Sequence, residues 1–381
     1  MYEIVKDFPN EFIFEEGYPC ISIYQNTHRR SPENIEDGTA FKNSLFKIED
    51  NLKKRFEQKE IDALMKPLYY LLNDRSFWNK TLDGLAVLAN KDKCMVYVLP
   101  HEVDTITQIG DSFAIKPLIR VFQSAGNYHL LGLNKDSFSL YNANRYSIEE
   151  VERNPDIFKS IKDVLGDQHT EAFLNFGSYG GNSGGVAFHG QGGRSEEGQK
   201  DLEKYFRYVD KAVFDNFSNK DKLPVILFGL AHNSGEFNKI STNPYLMKDG
   251  VAGSWEKMDL NRLKEEAWKV MLPIYEAKTQ ALLDEFDLAR ANSLGSSDLE
   301  EVAQAAVEKR IKTLLVEADV EFPGHLDLSN GTIKYERDDN VSYNDLIETI
   351  VKLVLKSQGT VVVLPKEKMP TESGLAAIYR F

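Results

Sequence analysis

The chain has 381 residues, 42% of them apolar and 28% charged, and a formal net charge of −13. At ~150 residues per domain this length points to two or three cores, and the composition excludes a largely disordered chain. The acidic balance excludes wholesale electrostatic attraction to nucleic acid and confines any RNA contact to a local basic face.

No run of ~18 uncharged apolar residues occurs, so no membrane-spanning helix and no membrane partner are expected. The opening Met1-Tyr2-Glu3-Ile4-Val5-Lys6-Asp7 has neither a basic n-region nor an apolar h-region, and a cytoplasmic location is expected. Cys20 and Cys94 lie in apolar, strand-like segments and read as small buried thiols rather than a disulfide framework.

The first expected element is a strand over 18–24, followed by the turn residues Gln25-Asn26-Thr27. Phe41, Leu45, Ile48, Leu52 and Phe56 recur near a 3.6 period and predict a helix; a second follows at 59–72. Strands at 84–89 and 94–99 flank Asn90-Lys91-Asp92-Lys93 and read as a hairpin. A boundary near Asp111 closes this α/β segment, 1–111.

The second segment, 112–253, opens with a hairpin of 128–133 and 137–141 around Asn134-Lys135-Asp136. Eight glycines then crowd residues 176–193, ahead of an amphipathic helix over 195–217. Pro224 to Ala231 is a nearly continuous apolar run, the pattern of a strand buried on both faces. The third segment, 254–381, alternates helices (260–287, 298–310, 344–355) with strands (313–317, 360–364, 376–380). Interleaved helices and strands predict a layered α/β architecture of three domains.

Eight glycines in one loop cost conformational entropy. Such a loop is either a mobile excursion or a tip that brings bare backbone amides against a substrate. It lacks the Gly-Lys-Ser/Thr ending of a phosphate-binding loop and follows no strand directly, as a dinucleotide fingerprint would. In the helix behind it, Leu202, Phe206, Val209 and Val213 form an apolar stripe. Lys200, Lys204, Arg207 and Lys211 repeat that spacing two residues earlier, ~200° round the helix. Glu203 and Asp210 border these cations and can pair with them, so a solvated face and a phosphate-contacting face both fit.

Thr27, His28, Arg29 and Arg30 follow the first strand, a position that suits an anion site or an ordinary polar strand end. The remaining histidines are scattered without ligand spacing, and neither metal nor cofactor is expected. Glu317, Asp319 and Glu321 alternate along a strand and read as a solvated sheet face.

His189-Gly190-Gln191-Gly192-Gly193-Arg194-Ser195, a long charged helix, and Pro224-Val225-Ile226-Leu227-Phe228-Gly229 together resemble the central domain of archaeo-eukaryotic class I release factors. There a His-Gly-x-Gly-Gly-Gln-Ser loop precedes a helix and a buried strand. Val363-Leu364-Pro365-Lys366-Glu367-Lys368-Met369-Pro370 with Gly374-Leu375-Ala376-Ala377-Ile378-Tyr379-Arg380-Phe381 is similar to the end of the release-factor/Pelota C-terminal domain. With Tyr205 to Asp210 and Ile21 to Arg29, the pattern resembles the bacterial archaeo-eukaryotic release factor families over essentially the whole chain.

The resemblance implies a ribonuclease-H-like middle domain, a C-terminal α/β/α sandwich, and a ribosome-binding role in termination, rescue or hibernation. Stop-codon decoding does not carry over, because the bacterial families have a different N-terminal domain. The family's reaction is peptidyl-tRNA ester hydrolysis at the loop tip, here Gln191, Gly192, Gly193 and Arg194, with His189 as a general base or a loop hinge. Gly192 and Gly193 keep the elements for backbone stabilisation of an oxyanion. Arg194 stands where the family has glutamine, which removes water positioning by an amide. The expected role is therefore binding at the ribosomal A site to rRNA and tRNA, with or without catalysis. Two other readings stay open: a small-molecule hydrolase or nucleotide/anion binder using the glycine loop, and a non-catalytic adaptor whose C-terminal domain recruits a protein.

Overall fold

The computed structural model describes residues 1–124, 126–145, 147–151, 154, 157–166, 191–254, 259–335 and 344–381, with backbone alone at 18, 124 and 191–196. Strands and helices alternate throughout, and the chain is α/β as expected. It divides into two compact units, Met1–Ala125 with Ala277–Phe381, and Gly126–Glu276.

In the first segment, β1 (Glu3–Ile4), β2 (Glu16–Asn26), β3 (Gly84–Ala89), β4 (Cys94–Leu99) and β5 (Ile106–Ser112) form a sheet of order β1-β4-β3-β2-β5. The expected hairpin is present: Gly84 pairs Leu99, Ala89 pairs Cys94, and the Asn90 side chain accepts from the Asp92 and Lys93 amides to close the turn. Period-2 alternation separates the faces. Ile21, Ile23, Val87 and Val96 face α1 (Asp37–Leu52) and α2 (Gln58–Asn73). Phe41, Leu45, Ile48 and Leu52 are buried as predicted, whereas Phe56 lies past the helix end. α3 (Arg75–Trp78) closes this layer through Phe77 and Trp78. β5 and α4 (Lys116–Ser124) have no counterpart in the sequence reading.

In Gly126–Glu276, β6 (Tyr128–Leu133), β7 (Phe138–Ala143) and β8 (Ile148–Glu150) make an antiparallel meander. α5 (Ile161–Leu165), α6 (Gln191–Val213), a π-helical turn at Phe214–Ser218 and α7 (Asn219–Asp221) precede β9 (Val225–Gly229). β9 lies parallel to β6 and fully buried, as its apolar run demands. Gly229 is required there: a Cβ would stand 2.7 Å from the Leu133 carbonyl oxygen. After α8 (Ala231–Ile240), β10 (Val251–Ala252) completes the order β10-β9-β6-β7-β8. Leu131, Leu133, Val225 and Leu227 face α6 and α8; Leu130, Ile226 and Phe228 face the first half of α9 (Leu260–Ala291).

The last segment builds β11 (Gly295–Ser296), α10 (Leu299–Val307), β12 (Ile311–Glu317), the ribbon β13 (Gly324–Leu326) and β14 (Ile333–Tyr335), α11 (Leu346–Lys356), β15 (Thr360–Leu364) and β16 (Leu375–Tyr379). The main sheet has order β11-β16-β12-β15. Gly374, before β16, takes φ +74° and leaves room for Val320, whose Cγ2 would stand 2.8 Å from a Cβ. Leu315, Ala376 and Ile378 cover Phe286 and Ala289 of α9.

The expected segments 1–111 and 254–381 keep separate sheets but share a core: Tyr24, Tyr97, Phe113 and Leu118 pack in one cluster with Leu314, Val316, Ile347 and Val351. Polar groups seal this joint. The Asn344 side chain accepts from the Asp111 amide at 3.0 Å and donates to its carboxylate at 2.9 Å. Glu348 accepts from the Ile115 and Lys116 amides, at 2.9 and 3.1 Å, and so satisfies the N-terminus of α4. The Lys116 ammonium stands 3.0 Å from Asp345. Lys352 is 2% exposed, and its Nζ has no hydrogen-bond partner among the described residues. Burial lowers its pKa to about 8, and burial lifts that of Glu348.

Candidate nucleic-acid interface

α6 is the structural centre of the candidate site. Its helical backbone begins at Gln191, four residues before the sequence-based start, so Gln191, Gly192, Gly193 and Arg194 form its first turn. Residues 176–190, with His189, lie outside the described residues. The first N–H groups of a helix have no partner within it, and the two glycines keep the backbone bare of side chains at that end.

The stripes fall as the spacing requires. Phe206, Val209 and Val213 are buried against the sheet and Leu202 is half-buried, while Lys200, Lys204, Arg207 and Lys211 are exposed. Arg207 pairs with Glu203 at 2.8 Å, and Lys204 with Asp201 at 3.4 Å. Lys200 and Lys211 form no ion pair among the described residues. The exposed Arg207–Glu203 pair holds its partner weakly, by ~0.2–1 kcal/mol, whereas Lys204 reaches a buried Asp201 only at the long distance of 3.4 Å.

Asp210, expected beside the cations, is buried instead. Its carboxylate accepts from Ser241 Oγ at 2.5 Å, from the Thr242 amide at 2.8 Å and from Thr242 Oγ1 at 3.1 Å. Asn243 extends the network by donating to Ser218 Oγ at 2.9 Å. Heptad arithmetic cannot separate this role from surface pairing, because Asp210 borders both stripes. On the other flank the Tyr205 hydroxyl donates to the Lys159 carbonyl at 2.7 Å, and the Tyr208 hydroxyl accepts from the Phe158 amide at 2.9 Å. α6 is thus clasped along both edges, with its basic face outward.

Of the four residues expected at an anion site, three are committed to protein partners. Thr27 Oγ1 donates to the Leu82 carbonyl at 2.9 Å, and Arg29 binds Asp83 through Nε and Nη2 at 2.6 and 2.8 Å. His28 Nδ1 lies 2.7 Å from the buried Asp37, whose hydrogen bond raises the imidazole pKa above its ordinary value. Arg30 is exposed. Among the described residues, no group of three His, Cys, Asp or Glu side chains is placed to hold a metal ion. No described helix is long and apolar enough to cross a membrane. Burial pushes both the Cys20 and Cys94 thiols up to about 12, which fits packed, unreactive groups.

Residues 126–273, which include the whole of α6, match the model of bacterial archaeo-eukaryotic release factor family 6. That match spans 148 of the 381 residues, and the likeness to this family is shown for that segment. The resemblance carried by Gly192-Gly193, the charged helix and the buried β9 is therefore borne out. No curated protein matches the chain. Among solved structures, the chain is similar to an archaeal translation termination factor at 15% identity, covering 97% of this chain and 95% of that one, with a TM-score of 0.26. It is similar to ribosome-bound archaeal Pelota at 13% identity, over 97% and 91% of the two chains, with a TM-score of 0.41. Similarity to S. cerevisiae Dom34, a translation termination-like factor, is 13% over 78% and 74%, with a TM-score of 0.39. At these TM-scores the release-factor assignment rests on the family match.

Proposed function

We propose that the chain is a translation factor that docks at the ribosomal A site, in termination, rescue or hibernation, and contacts rRNA or tRNA phosphates through the basic face of α6. The carrying observation is that the release-factor match contains an otherwise acidic chain's four-cation stripe, exposed in full opposite the core. The strand order β10-β9-β6-β7-β8, a meander extended by two parallel strands, supports a ribonuclease-H-like middle domain. In this reading the chain keeps the segment order 1–111, 112–253 and 254–381, acts in the cytoplasm, and offers its last segment to a protein partner.

The first turn of α6 supports two chemistries. Backbone amides at Gly192 and Gly193 suit a developing oxyanion. Arg194 brings a permanent five-donor cation, better fitted to a phosphate than to ordering a neutral water beside an ester. Binding is therefore the main activity, and peptidyl-tRNA hydrolysis is slow or absent. Sucrose-gradient sedimentation of tagged protein tests the reading: it co-migrates with ribosomes and leaves them at ribosome-splitting salt. Absence from ribosomal fractions in growth and in stress would falsify it.

A further inference from the structure

Phe158 is a large apolar side chain left 50% exposed in a segment that is otherwise tied down. Its own amide donates to the Tyr208 hydroxyl at 2.9 Å, and the next residue's carbonyl accepts from Tyr205 at 2.7 Å. The Phe158 and Tyr208 rings stand 6.5 Å apart with planes 30° from parallel. Tyr208 is four residues after Lys204 and three before Lys211, so it neighbours both cations on the helix surface. A ring held open to solvent thus lies beside Tyr208, whose helix neighbours four residues before and three after it are exposed cations.

We propose that Phe158, backed by Tyr208, is a stacking platform for an unpaired RNA base whose flanking phosphates lie along Lys204 and Lys211. The proposal rests on the ribosome-binding reading and specifies what the same face recognises: a single strand rather than a duplex. A paired base presents only its edge, whereas an unstacked base offers a π-face of the size Phe158 leaves bare. The charges supply attraction that is indifferent to sequence, and the ring supplies the preference for an unpaired base. The hydrogen bond to the Phe158 amide fixes the backbone beneath the ring, so little entropy is lost when a base settles on it.

The test uses the full chain, a 12-nucleotide oligouridine and an RNA duplex of equal length, with affinities read across a salt series. Phe158→Ala should weaken oligouridine binding about 5- to 150-fold, the range for loss of one base–aromatic stack, without changing the salt slope. Phe158→Tyr should restore binding and Phe158→Leu should not, which separates stacking from plain apolar contact. Phe158→Trp should report the contact directly by fluorescence quenching when the strand binds. Equal affinity for strand and duplex, with both insensitive to Phe158→Ala, would overturn the platform. Ribosome co-sedimentation then tells the two failures apart: if it persists while the platform fails, the docking reading stands, and if it is absent that reading falls as well.

Discussion

The side-chain amide of Gln123 pairs with the backbone of Val363 as a neighbouring strand would. Its Nε2 donates to the Val363 carbonyl, and its Oε1 accepts from the Val363 amide at 2.6 Å. β15 is an edge strand of the last sheet, and one amide from α4 closes part of that edge. Gln123→Leu leaves both backbone groups without a partner and should cost about 1–3 kcal/mol of stability. Urea unfolding reads the loss, and light scattering should show more self-association through the bared edge. An unchanged midpoint and unchanged scattering would count against the seal.

Lys352 gives unit Met1–Ala125 with Ala277–Phe381 a distinctive pH profile. Its folded pKa, about 8, lies below the ordinary 10.5, so between these values the unfolded chain holds the proton and the folded chain does not. Stability rises with pH wherever the unfolded state binds more protons, so the lysine's cost is full below pH 8 and gone by pH 10.5. Relative to Lys352→Met, the wild type should gain ~3 kcal/mol across that window. Taking the difference matters because the raised Cys20 and Cys94 thiols pull the other way above pH 9 in both proteins. Parallel profiles for the two proteins would show that Lys352 is solvated.

Asp210→Ala removes the acceptor that joins α6 to Ser241 and Thr242. The expected loss is about 1.5–3 kcal/mol, since hydrogen bonds to a charged group are among the stronger ones and Asp210 itself is buried. Amide hydrogen exchange should accelerate in the second half of α6. Exchange rates at the wild-type level would mean that apolar packing alone holds the helix.

Replacing Lys200, Lys204, Arg207 and Lys211 together with glutamine should weaken ribosome binding and flatten its salt dependence. Every phosphate that is no longer neutralised lowers the slope by ~0.7–0.9. The fold should survive, because Phe206, Val209 and Val213 on the opposite face are untouched. A salt slope equal to that of the wild type would remove the stripe from the interface.

Peptide release from peptidyl-tRNA on ribosomes should be slow or undetectable with the wild type, and Arg194→Gln should raise it. Gly193→Val should depress whatever rate exists, because a β-branched residue restricts the backbone that must approach the ester. Robust wild-type release, indifferent to both changes, would show that residues 191–194 are not the chemical tip.

The elements most legible in the sequence were those whose burial is one-sided or complete. The hairpin at Asn90 announced itself through alternation and turn chemistry, and β9 through its unbroken apolar run. The stripes of α6 followed from period alone. β5 was missed because Ile106 to Ser112 carries polar residues that solvent or Asn344 satisfies, leaving no clean alternation. The joint between the first and last segments was invisible because its signals are isolated polar residues, Gln123, Asn344 and Glu348, over 200 residues from their partners. At the candidate site the cations were legible and the inward turn of Asp210 was not, since its partners belong to a loop 31 residues further on.

The shared core of the first and last segments also sets an order of events during synthesis. Gly126–Glu276 has every strand of its sheet once β10 is made, whereas Phe113 and Leu118 must wait for Ile347 and Val351 to cover them. At ~5–20 residues per second the intervening stretch takes on the order of ten to fifty seconds to emerge. For that time the nascent chain shows an uncovered apolar sheet face, and a chaperone that shields this face has a defined window in which to act.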